Sequence, residues 1–285
     1  MIDLHLHVLP DVDDGASSEN VSRTMLEILA RMGFQRVVAT PHLMQPLTRE
    51  YHLETTTALE LIRPIATQLG ITLELGYEHM LSPDITERLK RHEPSTLAGS
   101  SAVLVELPFI GWPQHTASTL FDLRTAGYRP VLAHPERYVE VHKNLELALA
   151  VGEQGSVLQV TSGALAGLYG KTVERSARKI VEIGLERGIA MVLSTDAHSD
   201  GQRLVKVPDG ISWIRKQFNH GDLVVQWMSE VVPTHLLASS PIPTFQQWAH
   251  SKPHNGSVNG LGEQEQQQVS GGWRRKLGLG SQSNG

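Results

Sequence analysis

Met1-Ile2-Asp3-Leu4-His5-Leu6-His7-Val8 is the stretch on which the reading of this chain turns. Ile2, Leu4, Leu6 and Val8 alternate with Asp3, His5 and His7, and a period of two is the signature of a β-strand. His5 and His7 therefore project from one face, about 7 Å apart along the backbone. Two imidazoles so placed can share one cation. A lone His-x-His is often coincidence, so its weight depends on what the remaining strands carry.

Six further short runs, apolar and rich in β-branched residues, follow at Arg36–Thr40, Ile71–Gly76, Ala102–Leu107, Arg129–Ala133, Ser156–Thr161 and Ile189–Thr195. Helix-period segments separate them. The clearest starts at Ser17 or Ser18, either of which can cap its first N–H groups. It carries Val21, Met25, Leu29 and Met32 on one face and stops at Gly33. Other helices are expected over Ala58–Leu69, kinked or split at Pro64, and over His115–Ala126, Leu145–Glu153 and Val173–Arg187. Gly70, Gly127 and Gly188 stand where three of them would end. Seven βα-like units predict an α/β fold with a parallel sheet, closed or nearly closed into a barrel. An open doubly wound sheet is the alternative. Helices at Gly210–Phe218 and Asp222–Val231 complete a domain of residues 1–250. Residues 251–285, dominated by Gly, Ser, Gln and Asn, predict a low-complexity, disordered tail. Within it Trp273-Arg274-Arg275-Lys276 reads as a solvated run or a small docking motif.

The ends of the strands carry the chemistry. His42 follows the second strand and Glu78 the third, Glu106 ends the fourth, His134 ends the fifth, and Asp196 and His198 end the seventh. Six of the seven strands thus offer a metal ligand at or just past the C-terminal end, which is the functional rim of a parallel α/β barrel. Asp14, in the turn Asp11-Val12-Asp13-Asp14-Gly15, completes the set, with Asp13 as competitor for that role. The bland alternative for this segment is an Asp-rich turn feeding a helix cap. His52, His79, His92, His115, His142, His220, His235, His250 and His254 read as surface or packing residues. Of these, His79 adjoins Glu78 and is the one able to reach the site.

Composition narrows the chemistry. The chain of 285 residues contains no cysteine, which excludes disulfides, thiolate-bound zinc and a cysteinyl-phosphate mechanism. Five imidazoles and four carboxylates are too many for a single zinc and predict two or three divalent cations. Mixed imidazole and carboxylate ligation suits manganese, iron or zinc. Cations so gathered can activate a water and bind phosphate oxygens. Arg137, three residues past His134, and Arg203 are the candidate phosphate clamps, the bland reading being a loop salt bridge such as Arg137 with Glu136. A net charge of -5 argues against nucleic acid as a partner. No run approaches the roughly 18 apolar residues of a membrane span, and Asp3, His5 and His7 interrupt the apolar start. A cytoplasmic protein is expected, with no stable membrane insertion.

Met1–His7, Asp11–Gly15, Ala133-His134-Pro135-Glu136-Arg137-Tyr138 and Ser194-Thr195-Asp196-Ala197-His198 resemble the PHP (polymerase and histidinol phosphatase) domain. Within it, the chain is similar to the bacterial capsule-type metal-dependent protein-tyrosine phosphatases (CpsB/YwqE-like). The resemblance covers about residues 1 to 240. It implies a distorted seven-stranded (β/α)7 TIM-like barrel with a trinuclear site, commonly holding manganese. On that pattern His5, His7, Glu78 and Asp196 hold one ion, Glu78, Glu106 and His134 a second, and Asp14, His42 and His198 a third. Arg137 and Arg203 match phosphate-binding arginines. The implied substrate is phosphotyrosine on protein, typically the tail of a tyrosine autokinase that regulates capsule or exopolysaccharide synthesis. Competing readings are a phosphoesterase for a small metabolite such as histidinol phosphate, and a weakly catalytic, metal-stabilised binding protein. An amidohydrolase ranks below them, because no strand ends in the bridging lysine that such chemistry often recruits.

Overall fold

Short runs rich in apolar, β-branched residues make parallel strands here, and the described residues build nine of them. The computed structural model describes residues 1–91 and 93–251. The strands are β1 (Ile2–Leu6), β2 (Arg36–Ala39), β3 (His42–Leu43), β4 (Thr72–Leu75), β5 (Glu78–Met80), β6 (Ala102–Glu106), β7 (Arg129–Ala133), β8 (Val157–Thr161) and β9 (Met191–Ser194). They form a three-stranded sheet, β1-β2-β4, and a six-stranded sheet, β3-β5-β6-β7-β8-β9. Every pairing is parallel. One compact unit spans Met1–Ala249. The expected tail, apart from Ser251, lies outside the described residues, as do His92, His254 and the Trp273–Lys276 motif.

All seven expected strands are present within two residues of their expected ends, and β3 and β5 exceed that count. Both are short continuations, of β2 past Thr40-Pro41 and of β4 past Gly76-Tyr77. Pro41 has no N–H to give a ladder. At Gly76 a Cβ would press on Leu97 Cδ2 at 2.7 Å and Val38 Cγ1 at 3.0 Å, so glycine lets the chain lie this close to its neighbours. Past these breaks the two segments pair with each other, His42 opposite Glu78. The interruption thereby sets two candidate ligands side by side.

The two sheets meet at a seam between β1 and β9. Asp196 N donates to His5 O and His7 N to Ala197 O, both at 2.9 Å, around the bridge Leu6–Ala197. Below that point the buried Asp3 carboxylate accepts from Thr195 N at 3.2 Å and Thr195 Oγ1 at 2.6 Å. A side chain here does what a backbone ladder does elsewhere.

The helix Glu19–Arg31 is capped by Ser18, whose hydroxyl accepts from Val21 N at 3.3 Å. It buries Met25, Leu26 and Leu29, while Val21 and Met32 are half-buried. The helix expected at Ala58–Leu69 runs instead over Arg49–Gln68, and Pro64 does not split it. Thr48 caps its true start by accepting from Tyr51 N at 3.1 Å. The threonine run Thr55-Thr56-Thr57 masks the helical pattern, since threonine has low helix propensity. In place, Thr56 and Thr57 hydroxyls donate to the carbonyls of His52 and Leu53, each at 2.7 Å. Thr116–Thr125, Glu146–Glu153 and Lys171–Glu186 lie where helices are expected. Gly70, Gly127 and Gly188 follow helix ends with φ of 72°, 90° and 71°. The later helices are Val207–Gln217 and Gly221–Gln226, the latter passing into a π-helical turn at Trp227–Val231. No helix among the described residues is long and apolar enough to cross a membrane.

Candidate metal centre

His5 and His7 leave the end of β1 on the same face, as the alternation requires, and both are buried. The other seven candidate ligands converge on them. They fall into four overlapping groups, in each of which the ligand atoms lie within 4.8 Å of one another. The groups are His5, His7 and Asp196; His5, Glu78 and His134; His42, Glu78 and Glu106; and His7, Asp14, His42 and His198. Residues nearly 200 positions apart in the chain thus share one pocket. Glu78 is central to it. Its Oε1 lies 3.0 Å from His134 Nε2, and its Oε2 lies 3.2 Å from His5 Nε2, 3.3 Å from His7 Nε2 and 3.0 Å from His42 Nδ1.

The backbone is bent to bring these groups in. His134 and Asp196, at the ends of β7 and β9, have φ of 31° and 48°, in the left-handed region that side chains other than glycine rarely occupy. Such conformations cost about 1–3 kcal/mol each and concentrate at functional sites. His134 is held by its N–H, which donates to Gln159 Oε1 at 2.9 Å. Asp196 is held by its own N–H on the His5 carbonyl.

Gln159 and Asp13 fix the imidazoles. His5 Nδ1–H donates to Gln159 Oε1 at 3.0 Å, and His7 Nδ1–H donates to Asp13 Oδ2 at 2.7 Å. Each ring then presents an Nε2 lone pair, and the two Nε2 atoms face each other at 3.2 Å. Two lone pairs so close repel unless a cation lies between them or a proton is bound. Glu78 Oε2 is buried beside three imidazole nitrogens without hydrogen-bonding any of them. An oxygen and two nitrogens aimed inward, with their far sides already satisfied, fit divalent metal ions. The choice between Asp13 and Asp14 also separates here. Asp13 accepts from His7, from Gly15 N at 3.0 Å and from His42 N at 3.1 Å, while Asp14 Oδ1 faces His42 Nε2 at 3.3 Å and His198 Nε2 at 3.4 Å.

Charge in the pocket is balanced internally. Burial by itself would strip His5 of its proton, but Glu78 and Asp196 outweigh it and hold its pKa at about 9. Against the same burial, Glu106 and Glu78 hold His42 at about 11. Burial would raise Asp196, yet His5, His134 and the two arginines keep it at about 2. His198, half-buried and beside His7, is pushed down to about 3, chiefly by desolvation. Imidazolium protons on His5 and His42 therefore stand where cations would sit. Metal uptake at pH 7 is expected to expel at least about one proton per protein, with affinity rising about tenfold per pH unit for each proton displaced. Calorimetry of manganese binding in buffers of different ionisation enthalpy measures that number; a value of zero would contradict this account.

Arg137 and Arg203 both reach Asp196. Arg137 Nη1 lies 2.7 Å from Asp196 Oδ2, and Arg203 Nη1 lies 3.0 Å from Oδ1 while also donating to the Asp196 carbonyl. The expected alternative for Arg137, an ion pair with Glu136, does not form. Glu136 is buried and accepts from Thr161 N at 2.8 Å. Arg137 is instead flanked by Phe109 and Tyr169, whose ring centres lie 4.6 and 4.7 Å from its guanidinium carbon. Both arginines line a cavity of about 350 Å³ together with the candidate ligands Asp14, His42, Glu78 and Glu106. His79 turns away, its Nε2 donating to the Ser95 carbonyl at 2.9 Å.

Several residues around the cluster escape a reading of ligand types alone: Asp3, Gln159, Phe109 and Tyr169, while Asp13, weighed there as a ligand, holds His7 instead. Gln159 left the plainest trace, a polar side chain inside the apolar strand β8, the one expected strand without a candidate ligand.

Residues 1–231 match the family described as "Capsular polysaccharide synthesis, CpsB/CapC". Tyrosine-protein phosphatase YwqE of Bacillus subtilis is 30% identical over 220 residues, covering 76% of this chain and 85% of that protein. Tyrosine-protein phosphatase CpsB of Streptococcus pneumoniae is 26% identical over 225 residues, covering 76% of this chain and 91% of the other. A crystal structure from work on these two proteins, described as unique metal-dependent tyrosine phosphatases, superposes with a TM-score of 0.76 at 28% identity. That match covers 86% of this chain and 97% of the other.

Proposed function

The chain belongs to the CpsB/CapC family of capsular polysaccharide synthesis, and from that membership we propose that it is a metal-dependent protein-tyrosine phosphatase acting in capsule or exopolysaccharide regulation. One observation carries the reading: nine imidazole and carboxylate side chains, far apart in sequence, form one cluster, and seven of them line a cavity with two arginines.

In this reading residues 1–250 form the catalytic barrel. β2 with β3, and β4 with β5, act as two broken strands of a seven-stranded ring. His5, His7, Glu78 and Asp196 hold one ion, Glu78, Glu106 and His134 a second, and Asp14, His42 and His198 a third. The overlap of the four groups at His5, His7, His42 and Glu78 supports shared ligation. Imidazole and carboxylate donors without a thiolate favour manganese, with iron or zinc as alternatives. Bound cations would supply a nucleophilic water at neutral pH and neutralise phosphate oxygens.

The chain's own residues do the rest. Arg137 and Arg203 bind the remaining phosphate oxygens and stabilise charge as the ester bond breaks. Asp13 and Gln159 keep His7 and His5 in the tautomer with Nε2 free. A phenolate is a fairly good leaving group, so the site has little need of a strong general acid. The substrate class is a phosphotyrosyl protein, with the tail of a tyrosine kinase as the favoured partner. Oligomer formation is compatible with this, while nucleic acid and membrane insertion have no part in it, and a cytoplasmic location fits.

The test is turnover of a phosphotyrosyl peptide by metal-free protein reloaded with manganese, beside histidinol phosphate. Activity is expected to return with metal and to favour the peptide in kcat/KM. A preference for histidinol phosphate would transfer the site to small-metabolite chemistry. No turnover with any metal would leave only a binding protein.

A further inference from the structure

We propose that Phe109, with Met44 at the same opening, forms an apolar wall that selects aryl over alkyl phosphates; this deepens the phosphatase reading and rests on it. The cavity lining divides by chemistry. Imidazoles, carboxylates and two arginines make its charged part, and Met44, Met80, Leu107, Pro108 and Phe109 make the rest. Phe109 remains 43% exposed and Met44 57% exposed, although both are large apolar side chains beside a charged pocket.

Phe109 is held in place. Its carbonyl accepts from Val139 N at 3.0 Å, and two residues on Gly111 N donates to Glu140 Oε1 at 3.0 Å. The ring centre lies 4.6 Å from the Arg137 guanidinium carbon and 5.7 Å from the centre of the His134 ring. An aryl phosphate bound by Arg137 carries its ring only one ester oxygen from phosphorus. Its ring then falls within reach of Phe109 for offset or edge contact, which needs centroids about 4.5–7 Å apart. The Met44 thioether suits an aromatic edge as well. A serine phosphate brings no ring to this wall. A polar metabolite gains no ring contact here, and its hydroxyl or ammonium groups would meet apolar surface where they displace water from the wall.

The deciding probes are phenylphosphonate, propylphosphonate and inorganic phosphate, none of which needs turnover. Their binding to manganese-loaded full-length protein is measured by calorimetry for wild type, Phe109→Ala and Phe109→Trp. Wild type should prefer the phenyl probe. Phe109→Ala should weaken it about tenfold while changing the other two by less than about twofold, and Phe109→Trp should keep the preference. Equal losses for all three probes would overturn the proposal, because Phe109 would then act only by supporting Arg137. No loss for the phenyl probe would overturn it too. Wild-type turnover of a phosphotyrosyl peptide is recorded in parallel. Its absence would count against the phosphatase reading, whereas the phenyl preference and its loss in Phe109→Ala judge the wall independently.

Discussion

Glu78→Gln is expected to lose about three orders of magnitude in kcat/KM on a phosphotyrosyl peptide and most of its bound metal. The substitution keeps the shape of the side chain and removes one charge. Glu78 is fully buried, with Oε1 on His134 and Oε2 among His5, His7 and His42. A neutral amide gives a weaker oxygen donor and turns N–H groups toward imidazole nitrogens, so two of the proposed ions lose a shared ligand. The metal-free protein should suffer as well, because removing one partner from a buried charge cluster leaves the others uncompensated. Burial would raise the Glu78 pKa, but His5, His134 and His42 hold it well below the ordinary carboxylate range. A depressed carboxylate pKa contributes stability above the unfolded value, and that contribution is lost as pH falls through the folded value. The Tm difference between metal-free wild type and Glu78→Gln should therefore be full at pH 7 and shrink in acid. Elemental analysis, peptide turnover and thermal melts at several pH values check all three parts. A variant with full metal content and activity within tenfold would remove Glu78 from the centre of the site.

How far such a site can be read from sequence depends on whether a residue's role follows from local periodicity. The alternation at Ile2–Val8 sends His5 and His7 to one face wherever that strand lies, so their pairing was legible. The βα rhythm placed His42, Glu78, Glu106, His134, Asp196 and His198 at strand ends, and the structure brings them together. β3 and β5 were not legible. Two or three residues hold no period, and only the pairing of these segments with each other past Pro41 and Gly76 makes them strands. Nor could composition separate Asp13 from Asp14. They are neighbours of one residue type, and only the fold of the turn sends one to His7 and the other to His42 and His198. Gly15 shows how tight that turn is, since a Cβ there would collide with the His7 backbone and side chain. Tyr169 lies in a short loop whose sequence says nothing of the two guanidinium groups it touches at 4.7 and 5.8 Å. Residues that bind an ion announce themselves by type, whereas residues that orient a ligand do so only through tertiary contact.

Arg137→Lys should prove nearly as damaging as Arg137→Ala, each costing on the order of a hundredfold in kcat/KM, with metal content largely kept. If the site needed only positive charge near the phosphate, lysine would serve. The surroundings of Arg137 are built for a plane instead. Phe109 and Tyr169 flank the guanidinium, and one Nη anchors on Asp196 at 2.7 Å. The aromatic contacts limit how the guanidinium can turn, which leaves its other N–H groups for two phosphate oxygens. A lysine ammonium has no plane to stack, holds its three donors on a flexible stem, and would prefer water to the space between two rings. The loss should appear in kcat as well as KM, because the arginine is asked to meet charge that grows as the phosphate ester breaks. Inorganic phosphate should inhibit Arg137→Lys more weakly than wild type, which separates lost anion binding from lost metal. Were Arg137→Lys to retain activity within about fivefold of wild type, the aromatic clamp would have no catalytic purpose, and charge neutralisation would rest on the cations and Arg203 alone.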